Sequence, residues 1–344
     1  MDAPDDGRAR WPASAGWLWV TLLGLVAASL MSLGCGKYPL AVDQLLASLW
    51  ARLTGATSPL SAAAEAVIWN IRLPRVVAGV VVGAALGVAG AAFQGMFRNP
   101  LVSPDILGVS AGCGLGASLA ILLGASAGSV AVLAFGGGLV AVALVTGVAA
   151  RARGHEPILV MVLVGVAVSA LLGAGISLVK LLADPGVQLP AITFWLLGGL
   201  NAVTWDDVRY AAPILVAGLL PMWLWRWRIN LLTLPDEEVA ALGMNVRHLR
   251  LLMVTAATLM TAAAVAMSGI IGWVGLVVPH VARLLVGPDF GRLLPMSLLS
   301  GAAFVVAADT LARTAAPIEL PLSVLTATAG VPFFLWLLNR RSHT

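Results

Sequence analysis

Residues 72–101 read RLPRVVAGVVVGAALGVAGAAFQGMFRNPL, and this stretch identifies the class of fold. No charged residue lies between Arg75 and Arg98, and a helix that crosses a lipid bilayer needs about 20 consecutive apolar residues. The stretch therefore predicts a membrane-spanning helix over residues 73–97. A pair of arginines marks its first end, and a proline after Asn99 breaks it at the second end.

A glycine repeat runs along this predicted helix. Gly79, Gly83 and Gly87 recur every four residues, so they share one face. A stripe of small residues lets neighbouring helix backbones approach closely. We expect this helix to pack at the centre of the subunit. Because such stripes are common in helical membrane proteins, the repeat predicts packing and no specific function.

The composition of the whole chain extends this pattern. Of its 344 residues, 60% are hydrophobic and 10% are charged, whereas an average soluble domain has about 25% charged residues. Membrane β-barrels show short alternating strands and aromatic girdles, which 37 glycines and only 2 tyrosines do not fit. The sequence therefore predicts an all-α polytopic membrane protein with about ten transmembrane helices per subunit.

Ten apolar stretches predict the spans, within a single domain that covers residues 1–344. The first is interpreted as a retained span, because the polar N-terminus lacks the positive start and cleavage site of a signal peptide. The eighth is too short to cross a bilayer unaided. The stretches are 17–34, 73–97, 105–124, 128–150, 157–182, 206–227, 249–268, 274–287, 294–312 and 322–339.

Positive charge predicts the orientation of the chain. With the N-terminus inside, most of the 20 lysines and arginines fall on the cytoplasmic side, including Arg8, Arg10 and Arg153. Lys37 belongs to the minority on the other side. The positive-inside rule then places both termini in the cytoplasm.

Residues 230–248 form the longest charged segment of the chain. Thr233 followed by Asp236 is typical of a capping box, and Gly243 is a natural helix stop. We expect a short helix, a glycine turn and a second helix that begins near Asn245. An ordinary solvated loop is the alternative.

Several kinds of chemistry are missing from the sequence. The phosphate-binding pattern G-x-x-x-x-G-K-[ST] occurs nowhere, so a partner has to hydrolyse any ATP. The four histidines are scattered without the spacing of metal ligands. No basic run with interleaved aromatic residues indicates nucleic acid. We expect no catalytic residue, no metal site and no nucleic-acid partner.

Four segments, taken in order and spacing, resemble one known family. They are 72–75 (RLPR), 98–101 (RNPL), 268–289 and 308–334. The chain resembles the permease subunit of the bacterial type II ABC importers for iron-siderophores, haem and vitamin B12. The resemblance implies an inner-membrane homodimer with its pathway on the two-fold axis, two ATPase subunits and one periplasmic binding protein. It implies no cofactor on this chain, since ATP and Mg²⁺ bind to the ATPases.

The resemblance also implies roles for individual residues. Three arginines match a docking patch for carboxylates of the binding protein, although headgroup anchoring, or an Asp309 partner for the last of them, are alternatives. A proline turn matches the cytoplasmic gate, and the loop 232–247 matches the ATPase coupling helices. Its acidic residues would face solvent or the ATPase, while two apolar residues would enter the groove of that partner. The docking arginines are Arg72, Arg75 and Arg313, and the gate residues are Asn99, Pro100 and Leu101. The coupling residues are Asp236, Glu237, Glu238, Val239, Leu242 and Gly243.

The leading hypothesis is therefore an ATP-driven importer of an iron chelate, with ferric-siderophore ahead of haem. The same machinery for vitamin B12 or a molybdate-type oxyanion is an alternative. A secondary carrier that works without an ATPase is an alternative of another class, although it would need an ionisable site near mid-membrane. A third hypothesis is a structural or sensory membrane protein, which would not need the segment 230–248.

Overall fold

The computed structural model describes residues 14–36, 38, 40–152 and 157–341, and these ranges form helices and no strands. Four residues used for the orientation, Arg8, Arg10, Lys37 and Arg153, lie outside the described residues. The α-helices are α1 (Ser14–Gly34), α2 (Val42–Thr54), α3 (Ala62–Ala66), α4 (Leu73–Met96), α5 (Val109–Leu122), α6 (Ala127–Ala149), α7 (Pro157–Leu182), α8 (Gln188–Leu197), α9 (Trp205–Leu224), α10 (Arg226–Ile229), α11 (Asp236–Ala241), α12 (Val246–Ser268), α13 (Val274–Val286), α14 (Phe290–Thr314) and α15 (Leu322–Arg341).

Seven helical stretches of the described chain are long and apolar enough to cross a membrane. They contain α1, α4, α6, α7, α9, α12 and α14, and shorter apolar helices occur at α5, α8, α13 and α15. The protein is therefore a multi-pass α-helical membrane protein, which confirms the predicted fold class. Each of the ten predicted stretches contains a helix, and α13 is short, with 13 residues. That all ten cross the membrane stays a prediction.

The helix that carries the glycine repeat begins earlier than predicted. Pro74 suggests a start at residue 73, but a π-helical turn at Val67–Arg72 leads into α4 without a break. In a π-helical turn the N–H of residue 74 would bond to the carbonyl of residue 69, but proline has no N–H to donate. The carbonyl of Trp69 instead accepts a hydrogen bond from the indole Nε1 of Trp205 (2.8 Å). The continuous helix therefore spans Ala62–Met96.

Helix α8 was not among the predicted elements. It has ten residues and follows an Asp-Pro-Gly turn, so it shows too little periodicity to be identified from the sequence. Its last carbonyl, that of Leu197, accepts a hydrogen bond from Ser323 Oγ (2.6 Å). The next carbonyl, that of Gly198, accepts one from the N–H of Leu322 (3.1 Å). These bonds hold α8 against the start of α15.

Helix α4 lies at the centre of the described helices, in contact with α9, α12, α13 and α14. A Cβ atom added at Gly83 would lie 2.2 Å from the carbonyl oxygen of Gly301 in α14, and Gly79 and Gly87 face the same helix. Gly90 lies outside the four-residue repeat, and a Cβ atom there would lie 1.9 Å from a carbonyl oxygen of α13. Backbones this close leave room only for glycine.

Candidate functional site

The first end of α4 carries a group of ions that is buried except for one glutamate, Glu319, and we call it the arginine cluster. Its members are Arg72, Arg75, Asp309, Arg313 and Glu319. Nε of Arg75 lies 3.0 and 2.9 Å from the two carboxylate oxygens of Asp309, and its Nη1 lies 3.2 Å from Oε1 of Glu319. Such charge-assisted, multidentate hydrogen bonds are about twice as strong as neutral ones. They tie α4 to α14 and to the loop before α15.

The other two arginines of the cluster close the end of α1. Nη1 of Arg72 donates to the carbonyls of Leu33 (2.6 Å) and Gly34 (2.9 Å). Nη1 of Arg313 donates to the carbonyl of Cys35 (2.9 Å). The last carbonyls of a helix have no partner within it and carry the negative end of its dipole. Two cations therefore satisfy the end of α1.

The expectation that Arg72, Arg75 and Arg313 are exposed is wrong, whereas a role for them in docking a binding protein stays a prediction. Their relative exposures are 4%, 8% and 8%, because their guanidinium groups bond to carboxylates and carbonyls of their own chain. The alternative considered for Arg313 is present, since its Nε lies 3.6 Å from Oδ2 of Asp309. Glu319, whose side chain is 35% exposed, is the most accessible member of the Arg75 ion pairs.

A cavity of about 430 Å³ lies beside the arginine cluster. Arg75, Glu319 and Asp207 supply its charged lining, while Phe194 and Trp195 of α8 contribute aromatic surface. A largely apolar cavity with a few charged groups is typical of a small-molecule site. Among the described residues, no group of three histidine, cysteine or acidic side chains is placed to hold a metal ion.

The predicted gate residues form a tight turn at the second end of α4. Oδ1 of Asn99 accepts a hydrogen bond from the N–H of Leu101 (2.9 Å), and both residues are exposed, with Pro100 partly buried between them. The preceding residue, Arg98, has a φ of +49°, in the left-handed region that few non-glycine residues adopt. A gating role for this turn stays a prediction.

The segment 230–248, which we call the coupling segment, contains α11 and a left-handed turn at Gly243 (φ +76°). Asn245 caps α12 directly, so the predicted second helix is the first part of a helix that runs unbroken to Ser268. The predicted cap at Thr233 is wrong. Its hydroxyl donates to a carbonyl of the preceding turn (2.6 Å), and the residue before α11 is Pro235.

The exposed face of the coupling segment is acidic with one large apolar side chain. Asp236, Glu237 and Glu238 are exposed, and Leu242 is 62% exposed. Val239 is 0% exposed, so the prediction that it enters the groove of a partner is wrong. Its position on α11 turns it toward its own chain. Leu242 is therefore the apolar residue of the predicted pair that a partner can reach.

Two arginines that were not proposed as site residues meet at the coupling segment, in what we call the Asp236 junction. Nη2 of Arg98 lies 3.0 Å from Oδ1 of Asp236, and Nη2 of Arg250 lies 3.1 Å from the same atom. Arg98 also donates to the carbonyls of Leu232 (Nε, 3.0 Å) and Leu234. Every residue has a backbone carbonyl, so the sequence does not show that Arg98 bonds to those of Leu232 and Leu234. The sequence shows Arg98 only as a charged residue beside the proline turn.

The coupling segment is also bonded to the start of α14. Nδ2 of Asn230 donates to Oδ1 of Asp289 (2.6 Å), and Oδ1 of Asn230 accepts the N–H of Phe290 (2.7 Å). This second bond satisfies an N–H of the first turn of α14, a role usually taken by the residue before the helix. The ends of α4, α12 and α14 therefore meet at one segment.

The chain matches the FecCD transport family over residues 24–340. The cobalamin import system permease protein BtuC of Halobacterium salinarum is 44% identical over 81% of this chain and 74% of its own length. The molybdate import system permease protein MolB of Haemophilus influenzae is 38% identical over 92% of each chain. The hemin transport system permease protein HmuU of Yersinia pestis is 41% identical over 80% of this chain and 84% of its own.

A solved structure extends the similarity to three dimensions. It shows an inward-facing conformation of a metal-chelate type ABC transporter, which is 34% identical to this chain. The superposition has a TM-score of 0.85 and covers 95% of this chain and 99% of the other.

Proposed function

Since this chain belongs to the FecCD transport family and is a permease of an ABC importer, we propose that it moves a ferric-siderophore or haem from periplasm to cytoplasm across the bacterial inner membrane. The observation that supports a coupled importer best is the exposed acidic coupling segment, bonded to the end of the central helix α4. A structural or sensory membrane protein would not need this segment.

In this proposal the chain works with three kinds of partner. A second copy completes a pathway on the two-fold axis, two ATPase subunits bind ATP and Mg²⁺, and one periplasmic protein delivers the substrate. ATP hydrolysis belongs to separate subunits in this family, and the chain binds no cofactor of its own. Both termini lie in the cytoplasm, on the same side as the coupling segment.

The ATPase contact is proposed to centre on Leu242. A leucine that is 62% exposed, on a segment with exposed carboxylates, suits insertion into an apolar groove with a basic rim. Interfaces commonly surround such an apolar anchor with complementary charge. Glu237 and Glu238 would meet the rim, while Asp236 is already paired within the chain.

The cavity beside the arginine cluster favours a chelate over a bare oxyanion. Relatives are named for cobalamin, hemin and molybdate, so similarity alone does not choose among these substrates. Asp207 and Glu319 contribute negative charge to the lining, and Arg75 is already paired with carboxylates. The one arginine in the lining, among the described residues, is therefore not free to bind a small anion. The aromatic surface of α8 suits the apolar body of a larger chelate.

Uptake into proteoliposomes tests this function. The chain is reconstituted with its ATPase and binding protein, and labelled ferric-siderophore, haem, cobalamin and molybdate are supplied with or without internal ATP. We expect ATP-dependent uptake of an iron chelate. Uptake that is equal with and without ATP would support a secondary carrier. Binding of the binding protein without any uptake would support a structural or sensory protein.

A substitution at Leu242 tests the ATPase contact within the same system. Leu242→Asp places a charge in an apolar contact, which costs several kcal/mol, so we expect ATPase binding to weaken by at least about tenfold. Leu242→Met keeps an apolar side chain of similar size and serves as the control. Normal ATPase binding by Leu242→Asp would show that the contact lies elsewhere.

A further inference from the structure

One side chain fastens the coupling segment to the second end of α4. The guanidinium of Arg98 donates through Nε to the carbonyl of Leu232 (3.0 Å), and through Nη2 to the carbonyl of Leu234 and to Oδ1 of Asp236 (3.0 Å). All three acceptors lie within a five-residue stretch. A planar guanidinium holds several acceptors in one fixed arrangement, which the single ammonium of lysine does not.

The backbone of Arg98 is in a conformation that its residue type disfavours. Its φ of +49° lies in the left-handed region, which glycine and asparagine adopt far more readily. Outliers of this kind persist where surrounding contacts hold them, and they concentrate at functional positions. The turn by itself gives no reason for an arginine, whereas the three bonds of the side chain do.

We propose that Arg98 is a positioning residue that makes the gate turn, residues 99–101, move together with the coupling segment. This inference rests on the proposed function. The main chain of Arg98 leads directly into Asn99, while its guanidinium is bonded to the coupling segment. A displacement of that segment by the ATPase therefore reaches the gate through one residue.

The other side of the Asp236 junction is fixed by α12. Nη2 of Arg250 lies 3.1 and 3.2 Å from the carboxylate oxygens of Asp236, and the Arg250 side chain is only 12% exposed. The Asp236 side chain is 49% exposed, and exposed ion pairs contribute little by themselves. Loss of the two carbonyl bonds of Arg98 is therefore expected to matter more than loss of the Asp236 charge.

Arg98→Gly separates this role from a role in folding. Glycine adopts the left-handed backbone readily, so the chain is expected to fold normally. The substitution removes all three side-chain bonds. Arg98→Lys keeps the positive charge but loses the planar guanidinium that bonds to several acceptors at once. Arg226→Ala is the matched control, because the Arg226 side chain donates to the carbonyl of Trp223 (2.9 Å) and lies against tryptophan rings.

The first measurement uses the chain alone in liposomes. Cys35 is replaced by serine, and spin labels are attached to cysteines at the exposed positions Leu101 and Leu242. The labelled chain is diluted with unlabelled chain, so that both labels of a measured pair belong to one copy. We expect one narrow distance distribution in the otherwise unchanged chain and with Arg226→Ala, and loss of the narrow component with Arg98→Gly. An unchanged distribution with Arg98→Gly would overturn the proposal. Because the ATPase, the binding protein and the substrate are all absent, this result does not depend on the proposed function.

The second measurement uses the complete complex and counts substrate molecules taken up per ATP hydrolysed. We expect Arg98→Gly to lower this ratio by about fivefold or more, as for coupling between two distinct sites, with ATPase binding unchanged and Arg98→Lys intermediate. An unchanged ratio in a complex that transports would overturn the proposal. If the unmodified complex shows no ATP-dependent uptake, the proposed function fails, while the distance measurement still decides whether Arg98 fastens the turn.

Discussion

The two ends of α4 each carry an arginine, and the two arginines are used differently. The Arg75 side chain is 10% exposed and bonded to two carboxylates, whereas the Arg98 side chain is 36% exposed and bonded to two carbonyls and a carboxylate. Removing one partner of a buried ion pair leaves an uncompensated charge, whereas Arg98 fastens one short, partly exposed segment to the end of the helix. The first end is therefore suited to an anchor and the second to a moving part.

The arginine cluster is the place where this difference should be largest. Asp309→Asn leaves Arg75 and Arg313 without their shared buried carboxylate, and we expect a loss of about 3–5 kcal/mol in the free energy of unfolding in mixed micelles. Asp206→Asn is the control, since its pair with Arg209 is exposed on both sides and is worth less than about 1 kcal/mol. Equal losses in the two variants would contradict the assignment of an anchor.

The contact between α4 and α14 tests whether the central helix can carry a displacement as a rigid body. In Gly83→Ala the new Cβ atom would lie 2.2 Å from the carbonyl oxygen of Gly301, and we expect a loss of about 1–3 kcal/mol through overpacking. Gly173→Ala in α7 meets no atom within 4 Å and should be neutral or slightly stabilising. Thermal unfolding of both variants checks this, and an equally stable Gly83→Ala would mean that the helices separate easily.

The bond between the coupling segment and α14 should have the smallest effect of the three. Asn230→Ala removes the acceptor for the N–H of Phe290, and we expect a loss of about 1 kcal/mol, as for other helix caps. Amide hydrogen exchange should show faster exchange in the first turn of α14. Unchanged exchange at that turn would show that another group caps the helix.

The class of fold and the central helix were accessible from the sequence. A membrane-spanning helix needs a long run without charge, and the run between Arg75 and Arg98 satisfies this directly. The glycine repeat likewise indicated a close helix contact, although Gly90 was missed because it lies three residues after Gly87 and so breaks the repeat. Patterns within one segment are enough for such predictions.

The environment of the arginines was not accessible in this way. Two arginines near the end of a span suggest an exposed rim, but nothing nearby in sequence shows that the carbonyls of Leu33 and Gly34 reach Arg72. The bonds from Arg98 to Leu232 and Leu234 are of the same kind. Main-chain acceptors are common to every residue, so long-range contacts with them leave no sequence pattern.

The comparison between the ends of α4 is tested most directly by substrate uptake per ATP hydrolysed, measured on folded complexes that carry either Asp309→Asn or Arg98→Gly. The two variants should differ in this ratio, since one alters the anchor and the other the moving part. We predict a ratio close to that of the unmodified complex for Asp309→Asn, whose defect lies in stability, and a ratio lower by about fivefold or more for Arg98→Gly. A reduced ratio for Asp309→Asn together with a normal ratio for Arg98→Gly would contradict the account.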